Sequence, residues 1–185
     1  MLAALTCGDD ARSEAAVALI AARGPAMLDA LQVQLDSTNV DARWWAVRAI
    51  AAILHPRSVT LLTQALQDSA VEVRQCALLG LRLQPAEQAI PVLVALLSDS
   101  DDLCASLAGD ALAAIGPAVV PALIEVLETG SQIARRHAAR AASRLADPRL
   151  IPALFKALDT DSFFLEFWAS EALERSGAGM VYYRL

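Results

Sequence analysis

The stretch Val40-Asp41-Ala42-Arg43-Trp44-Trp45-Ala46-Val47-Arg48-Ala49-Ile50-Ala51-Ala52-Ile53 reads as one helix, with Ala42, Ala46, Ala49, Ile50 and Ile53 forming a single apolar stripe. The stripe returns along the chain. Ala46, Ala77, Ala108, Ala138 and Ala169 are separated by 31, 31, 30 and 31 residues, and Ala15 stands a further 31 upstream. Leu31, Leu62, Leu93, Leu123 and Leu154 show the same four steps, as do Leu35, Leu66, Leu97, Leu127 and Leu158. Pro91, Pro121 and Pro152 follow at 30 and 31. The shared short step places one missing residue at the tight Gly116-Pro117 turn. Independent columns with one common indel mark a repeat, and a period of this length means stacked units.

Each unit holds two helical patterns. The first, A, is typified by Ile90-Pro91-Val92-Leu93-Val94-Ala95-Leu96-Leu97, whose proline occupies the first turn where its missing N–H costs nothing. The second, B, is the Val40 pattern. Polar turns separate A from B, and Ser69 with Glu72 fits a capping box. His55-Pro56-Arg57, Gly116-Pro117 and Asp147-Pro148-Arg149 stop each B helix. The spacing predicts B helices at 10–25, 40–54, 71–83, 102–115, 132–145 and 163–176, and A helices at 26–35, 59–67, 89–97, 119–128 and 150–158. The expected fold is all-α, a right-handed α-solenoid (alpha-alpha superhelix) of five to six helical hairpins with a repeat of about 31 residues. As a single repeat domain over 1–185, its units are 1–25, 26–54, 59–83, 89–115, 119–145 and 150–177, with 178–185 as a C-terminal tail. Met1 to Thr6 resembles the last turn of an A helix and Met180 to Leu185 the first turn of another. Phe163, Phe164, Phe167, Tyr182 and Tyr183 crowd the final unit, either capping the array or associating end to end.

Composition agrees with a thin stack. The 185 residues include 39 Ala and 29 Leu, and 56% are apolar, so a disordered chain is excluded. Small residues in the Ala46 column let hairpins approach closely. The richest apolar stretch, Ala111 to Val126, is interrupted by Gly116, Pro117, Pro121 and Glu125, which leaves no run long enough to cross a bilayer. A net charge of −6 argues against whole-molecule attraction to nucleic acid or anionic lipid. Fourteen of the 15 basic residues are Arg, as expected of a bacterial, GC-rich genome. Cys7, Cys76 and Cys104 are odd in number and far apart, which points to at least Cys76 and Cys104 as small interior residues in a reducing cytoplasm.

These residues resemble HEAT repeats, in particular the short HEAT-like class found in phycobilisome lyase subunits and many bacterial proteins. The matching text is Asp41-Ala42-Arg43 with Ala46, Ala49 and Ile50, then Val71-Glu72-Val73-Arg74 with Ala77 and Leu81, and Val120-Pro121-Ala122-Leu123 and Ile151-Pro152-Ala153-Leu154. It covers residues 10 to 177. The resemblance implies that B helices line a concave face and that early B-helix arginines bond acidic turn residues of adjacent units. Arg43 and Arg74, with Asp36, Asp68 and Asp99, are the candidates. Arg135 continues the pattern, while Ala105 and Glu166 depart from it.

On a wheel centred on Ala46, positions 44, 48 and 51 point about 160°, 200° and 140° away. They predict an exposed strip of three columns. The first is Ser13, Trp44, Gln75, Ser106, Arg136 and Phe167. The second is Val17, Arg48, Leu79, Asp110, Arg140 and Glu171, and the third runs Ile20, Ala51, Arg82, Ala113, Ser143 and Glu174. Trp44, Arg48, Gln75, Leu79, Arg82, Asp110, Arg136, Arg140, Phe167 and Glu171 are the expected partner-binding residues, since exposed Trp, Phe and Arg are hot-spot types. The alternative is a face that merely solvates its charges. The next column, with Trp45, Cys76, His137 and Trp168, points toward the boundary between units. His137 sits among arginines that favour neutral imidazole. The basic run Arg135-Arg136-His137 with Arg140, Arg144 and Arg149 either holds an acidic segment or phosphate, or balances Asp99, Asp101, Asp102 and Asp110.

No catalytic or metal-binding motif stands out: the two His are 82 residues apart and no Cys pair has CxxC spacing. The expected function is a non-catalytic, cytoplasmic protein-binding scaffold, not an enzyme, with a protein partner, no cofactor, no metal, no membrane and no nucleic acid. Two alternatives remain. The resemblance alone implies a bilin lyase or tetrapyrrole-handling subunit, with Trp44, Arg48, Asp110 and Arg140 in the groove and arginines on propionates. A HEAT-like DNA-binding or DNA-repair protein is the other, and the mixed charge of the groove argues against it.

Overall fold

The computed structural model describes residues 2–158 and 162–178, so the expectations for Met180–Leu185, Tyr182 and Tyr183 lie outside the described residues. Eleven α-helices alternate as the periodicity predicts, and no strand occurs among the described residues. They are α1 (Asp10–Arg23), α2 (Leu28–Leu35), α3 (Val40–Ala51), α4 (Pro56–Ala65), α5 (Val71–Leu83) and α6 (Ile90–Leu96). Then come α7 (Asp102–Ile115), α8 (Val120–Thr129), α9 (Gln132–Leu145), α10 (Ile151–Leu158) and α11 (Phe163–Arg175). The A helices are even-numbered and the B helices odd-numbered. Short 3₁₀ turns lead into several A helices, and α4 begins three residues earlier than expected because Pro56 sits at its first position.

The chain divides into two compact units, Met1–Ala89 and Ile90–Leu185. In the first, α3 packs on α1 and α5, with α2 and α4 behind. In the second, α9 packs between α7 and α11, with α6, α8 and α10 behind. The alanine column is fully buried at Ala46, Ala77, Ala108, Ala138 and Ala169, and Leu31, Leu62, Leu93, Leu123 and Leu154 fill the core beside it. Gly80 interrupts the neighbouring alanine column for a steric reason. A Cβ there would lie 2.8 Å from Ala51 Cβ and 3.0 Å from both Leu62 methyls, so α3 and α5 approach more closely than an alanine permits.

Two sequence expectations need correcting. Ala15 is exposed, and Ala16, Val17 and Ile20 are buried in its stead, together with Ser13. The N-caps Asp9 and Asn39 are 30 residues apart, so α1 is one residue out of the assumed register and Ala16 takes the Ala46 position. The cause is Gly24-Pro25, the same dipeptide as Gly116-Pro117, with the same positive φ on its glycine (+66° and +87°). Ser69 does not cap α5; Ala70 holds that place without a side-chain bond. Asp68 braces the turn instead, accepting from Ala70 N–H at 2.8 Å.

Arg43 holds Asp68 through Nε at 2.7 Å and Nη2 at 2.8 Å, both side chains 12% exposed, and donates to the Ser37 carbonyl. Two charge-assisted bonds in parallel fix geometry as well as energy. The neighbouring Arg43 guanidinium holds the Asp68 carboxyl below its usual range. Arg135 bonds the Leu127 carbonyl and Ser13 the Leu5 carbonyl, so at Ser13, Arg43 and Arg135 this B-helix position ties the helix to the segment before it. The helical stretch Asp10–Leu35 is long and apolar enough to pass as a membrane span by length and composition, although no such run was expected. Gly24 breaks it, and both halves turn buried faces into the first unit.

Candidate functional site

A cleft of about 560 Å³ opens between α3 and α5 of the first unit, lined by Trp44, Arg48, Gln75, Leu79, Arg82 and Leu83. Five of these are predicted strip residues, and the close α3–α5 approach at Gly80 shapes its wall. Gln84 Nε2 donates to the Ala51 carbonyl at 2.9 Å, pinning the C-terminal end of α5 to that of α3. Trp44 stands half-buried, its ring edge-to-face with Trp45 at 4.8 Å and 89°. Arg48 pairs with Glu14 of α1, and Arg82 is exposed with no ion pair among the described residues. Burial pushes the Cys76 thiol up to about 12, so it is protonated near neutral pH and is no nucleophile. The cleft therefore offers aromatic and aliphatic walls, two cations and one acid, Glu72, within the range of about 300–1,000 Å³ typical of small-molecule sites.

The same columns behave otherwise in the second unit. Asp110, expected on the exposed strip, has a side chain only 8% exposed. Its Oδ1 forms ion pairs with Arg144 Nη1 at 2.7 Å and Arg140 Nη2 at 3.1 Å, and its Oδ2 accepts from Arg140 Nη2 at 3.5 Å. Arg140 also bonds the Ser106 carbonyl at 3.1 Å and lies 5.8 Å over the Trp168 ring. Arg136 pairs with Asp102 and lies 5.9 Å over Phe164. The basic run is thus spent on its own neighbours, with Arg149 paired to Asp147. Phe167 meets Trp168 at 5.1 Å and Glu171 pairs with Arg175 along α11. Phe163, Phe164 and Phe167 are exposed rather than folded into an apolar cap. His137 is buried with Nε2 3.3 Å from Asp102; burial first, then Arg136, hold its pKa below the ordinary imidazole value.

The one-residue register error moves Ser13, Val17 and Ile20 off the strip and puts Glu14, Ala18 and Ala21 in their columns. Glu14, the partner of Arg48, was missed for that reason alone. His55, in the turn that stops α3, also caps α4 by accepting from Arg57 N–H at 3.1 Å.

A model of HEAT repeats matches residues 28–113 and 90–174. The phycobilisome maturation protein of Synechococcus elongatus is 31% identical over 144 residues, covering 69% of this chain and 70% of the relative. The phycocyanobilin lyase subunit beta of Thermosynechococcus vestitus is 37% identical over 78 residues, covering 42% of this chain and only 37% of that subunit. Among solved structures, the CpcE–CpcF complex of phycocyanin lyase from Nostoc aligns at a TM-score of 0.61 and 21% identity, covering 76% of this chain and 94% of that one. The archaeal HEAT-like repeats protein of Thermococcus onnurineus aligns at 0.62 and 16%, covering 88% and 75%. These structural likenesses speak for the fold. The relatives overturn the expectation of a non-enzyme, since their names are those of lyase subunits. That expectation rested on the lack of a catalytic motif in this chain, and a subunit can serve a reaction whose reacting groups lie on its ligand and on another molecule.

Proposed function

This chain belongs to the HEAT-repeat family, and we propose that it is a bilin-handling subunit of the lyase type, holding a linear tetrapyrrole in the α3–α5 cleft. The observation that carries the reading is the pairing in one cleft of an aromatic wall, Trp44, with two arginines, Arg48 and Arg82. A bilin is flat, largely apolar and carries two propionates, so it needs an apolar wall and cations in one place. Trp44, Leu79 and Leu83 supply the wall; guanidinium groups bind carboxylates in fork geometry. The named lyase subunits among the relatives support the same ligand class. A protein partner belongs to the proposal, by analogy with the CpcE–CpcF complex. The cytoplasm is the proposed compartment, consistent with the buried free thiols of Cys76 and Cys104.

Titrating the protein with phycocyanobilin and following visible absorbance tests this. Binding is expected to shift the band, and Trp44→Ala combined with Arg82→Ala is expected to weaken affinity about tenfold or more, with helical circular dichroism unchanged. No spectral change with the wild-type chain overturns the reading.

A further inference from the structure

We infer that Glu14 is a built-in competitor for Arg48, setting how tightly the α3–α5 cleft takes a flat ligand that carries two anionic groups. The inference rests on the reading of this cleft as a ligand site. Its two cations are not equivalent. Arg82, on the last turn of α5, has no ion-pair partner among the described residues and stands ready for a first anion. Arg48 is engaged by Glu14, which reaches it from α1. A second anionic group on the ligand therefore competes with Glu14 for the Arg48 guanidinium.

Exposure decides whether displacement is feasible. The Arg48 and Glu14 side chains are 37% and 50% exposed, and pairs this wet contribute little to stability. Glu14 can swing into water and hydrate its carboxylate without leaving a buried charge behind. In the second unit the equivalent arginine, Arg140, is bound by Asp110, whose side chain is 8% exposed and also held by Arg144. That acid has nowhere to go, so the pair is fixed. A releasable acid and a fixed one on equivalent arginines distinguish a ligand cation from a structural one. The class of ligand follows: an aromatic or conjugated dianion gains from both arginines, while a monoanion is satisfied by Arg82 and leaves the Glu14 pair intact.

The experiment is a fluorescence titration of the full chain with two dyes, anilinonaphthalene sulfonate (one anionic group) and its dimeric form bis-anilinonaphthalene sulfonate (two). Wild type, Glu14→Gln, Arg48→Gln and the double variant form a cycle. Glu14→Gln is expected to tighten the dianionic dye about two- to fivefold, with a smaller gain for the monoanionic one. In the Arg48→Gln background the gain is expected to vanish. An equal gain in both backgrounds overturns the inference, because removal of a negative charge then acts at long range. Failure of the dianionic dye to bind wild type overturns it too. Phycocyanobilin, titrated on the same four proteins, separates the two proposals. If the dye follows the cycle and the bilin does not bind, the bilin reading falls and the role of Glu14 stands. If the bilin binds with unchanged affinity in Glu14→Gln, the reverse holds.

Discussion

The two units of this chain use the same helix positions for opposite ends. In the first, the columns that begin at Trp44, Arg48 and Ala51 carry Gln75, Leu79 and Arg82, and a cleft stays open. In the second they carry Ser106, Asp110, Arg136, Arg140 and Ser143, and these close on one another through ion pairs and ring contacts. The backbone repeat is shared; the difference lies in whether the acid that faces the arginines is buried, as Asp110 is, or half-exposed, as Glu14 is. Asp110 is locked between two arginines, while Leu79 occupies its column in the first unit and leaves Arg48 to the exposed Glu14. A repeat fold thus sets where side chains point, and the identity of a few of them decides between a binding surface and a structural brace.

The largest expected effect comes from removing that brace. Asp110→Ala strips the buried carboxylate from Arg140 and Arg144 and is expected to cost about 2–3 kcal/mol. The estimate lies below that for a fully buried pair because Arg144 is 44% exposed and can hydrate itself. Leu79→Ala, in the same column, is 41% exposed and is expected to cost only about 0.5 kcal/mol. Urea unfolding of both variants checks the contrast; equal losses would remove the distinction between the units.

A smaller effect is expected at Gly80. An alanine would improve helix propensity by about 1 kcal/mol but must push Ala51 and Leu62 aside. Overpacking is expected to win, with a net loss of about 1–2 kcal/mol and a change in the cleft that Gly80 lines. Gly109→Ala, in the second unit, provides the comparison. Its Cβ would meet the His137 carbonyl at 3.3 Å and no other atom closer than 3.8 Å, so a smaller loss is expected from thermal or urea unfolding.

Most of the fold was legible because a repeat states its own register several times over. Helices α5, α7 and α9 begin and end where the columns placed them. Helix α1 departs from the expected register because one anchor, Ala15, agrees with a 31-residue step by coincidence in a chain full of alanine. Gly24-Pro25 carried the correction, being the same tight turn as Gly116-Pro117. For the site, the wheel identified which residues share a face but could not tell which acids would reach them. Asp110 lies on the predicted strip, yet two arginines one turn apart on the next B helix cover it. Burial of that kind is decided by the side chains of the adjacent hairpin, which a single-helix wheel leaves out. The lyase link was legible only through the family resemblance, as no reactive group in this chain announces it.

The smallest expected effect concerns pH, and it too separates the units. One column holds Cys76 in the first unit and His137 in the second. Burial pushes the Cys76 thiol up to about 12, so it stays neutral through the physiological range and adds no pH dependence of its own there. His137 is buried beside Arg136 and Arg140, with only Asp102 opposing them, and its pKa is held below 6.5. The unfolded chain then binds a proton more readily than the folded one. Stability linked to this residue is therefore complete above about pH 6.5 and declines as pH falls from there through the lower folded-state value. Urea midpoints measured from pH 7.5 down to about 5 are expected to drop, and His137→Gln is expected to flatten that part of the drop. A slope unchanged by His137→Gln would assign the pH dependence elsewhere and leave the two members of this column equivalent.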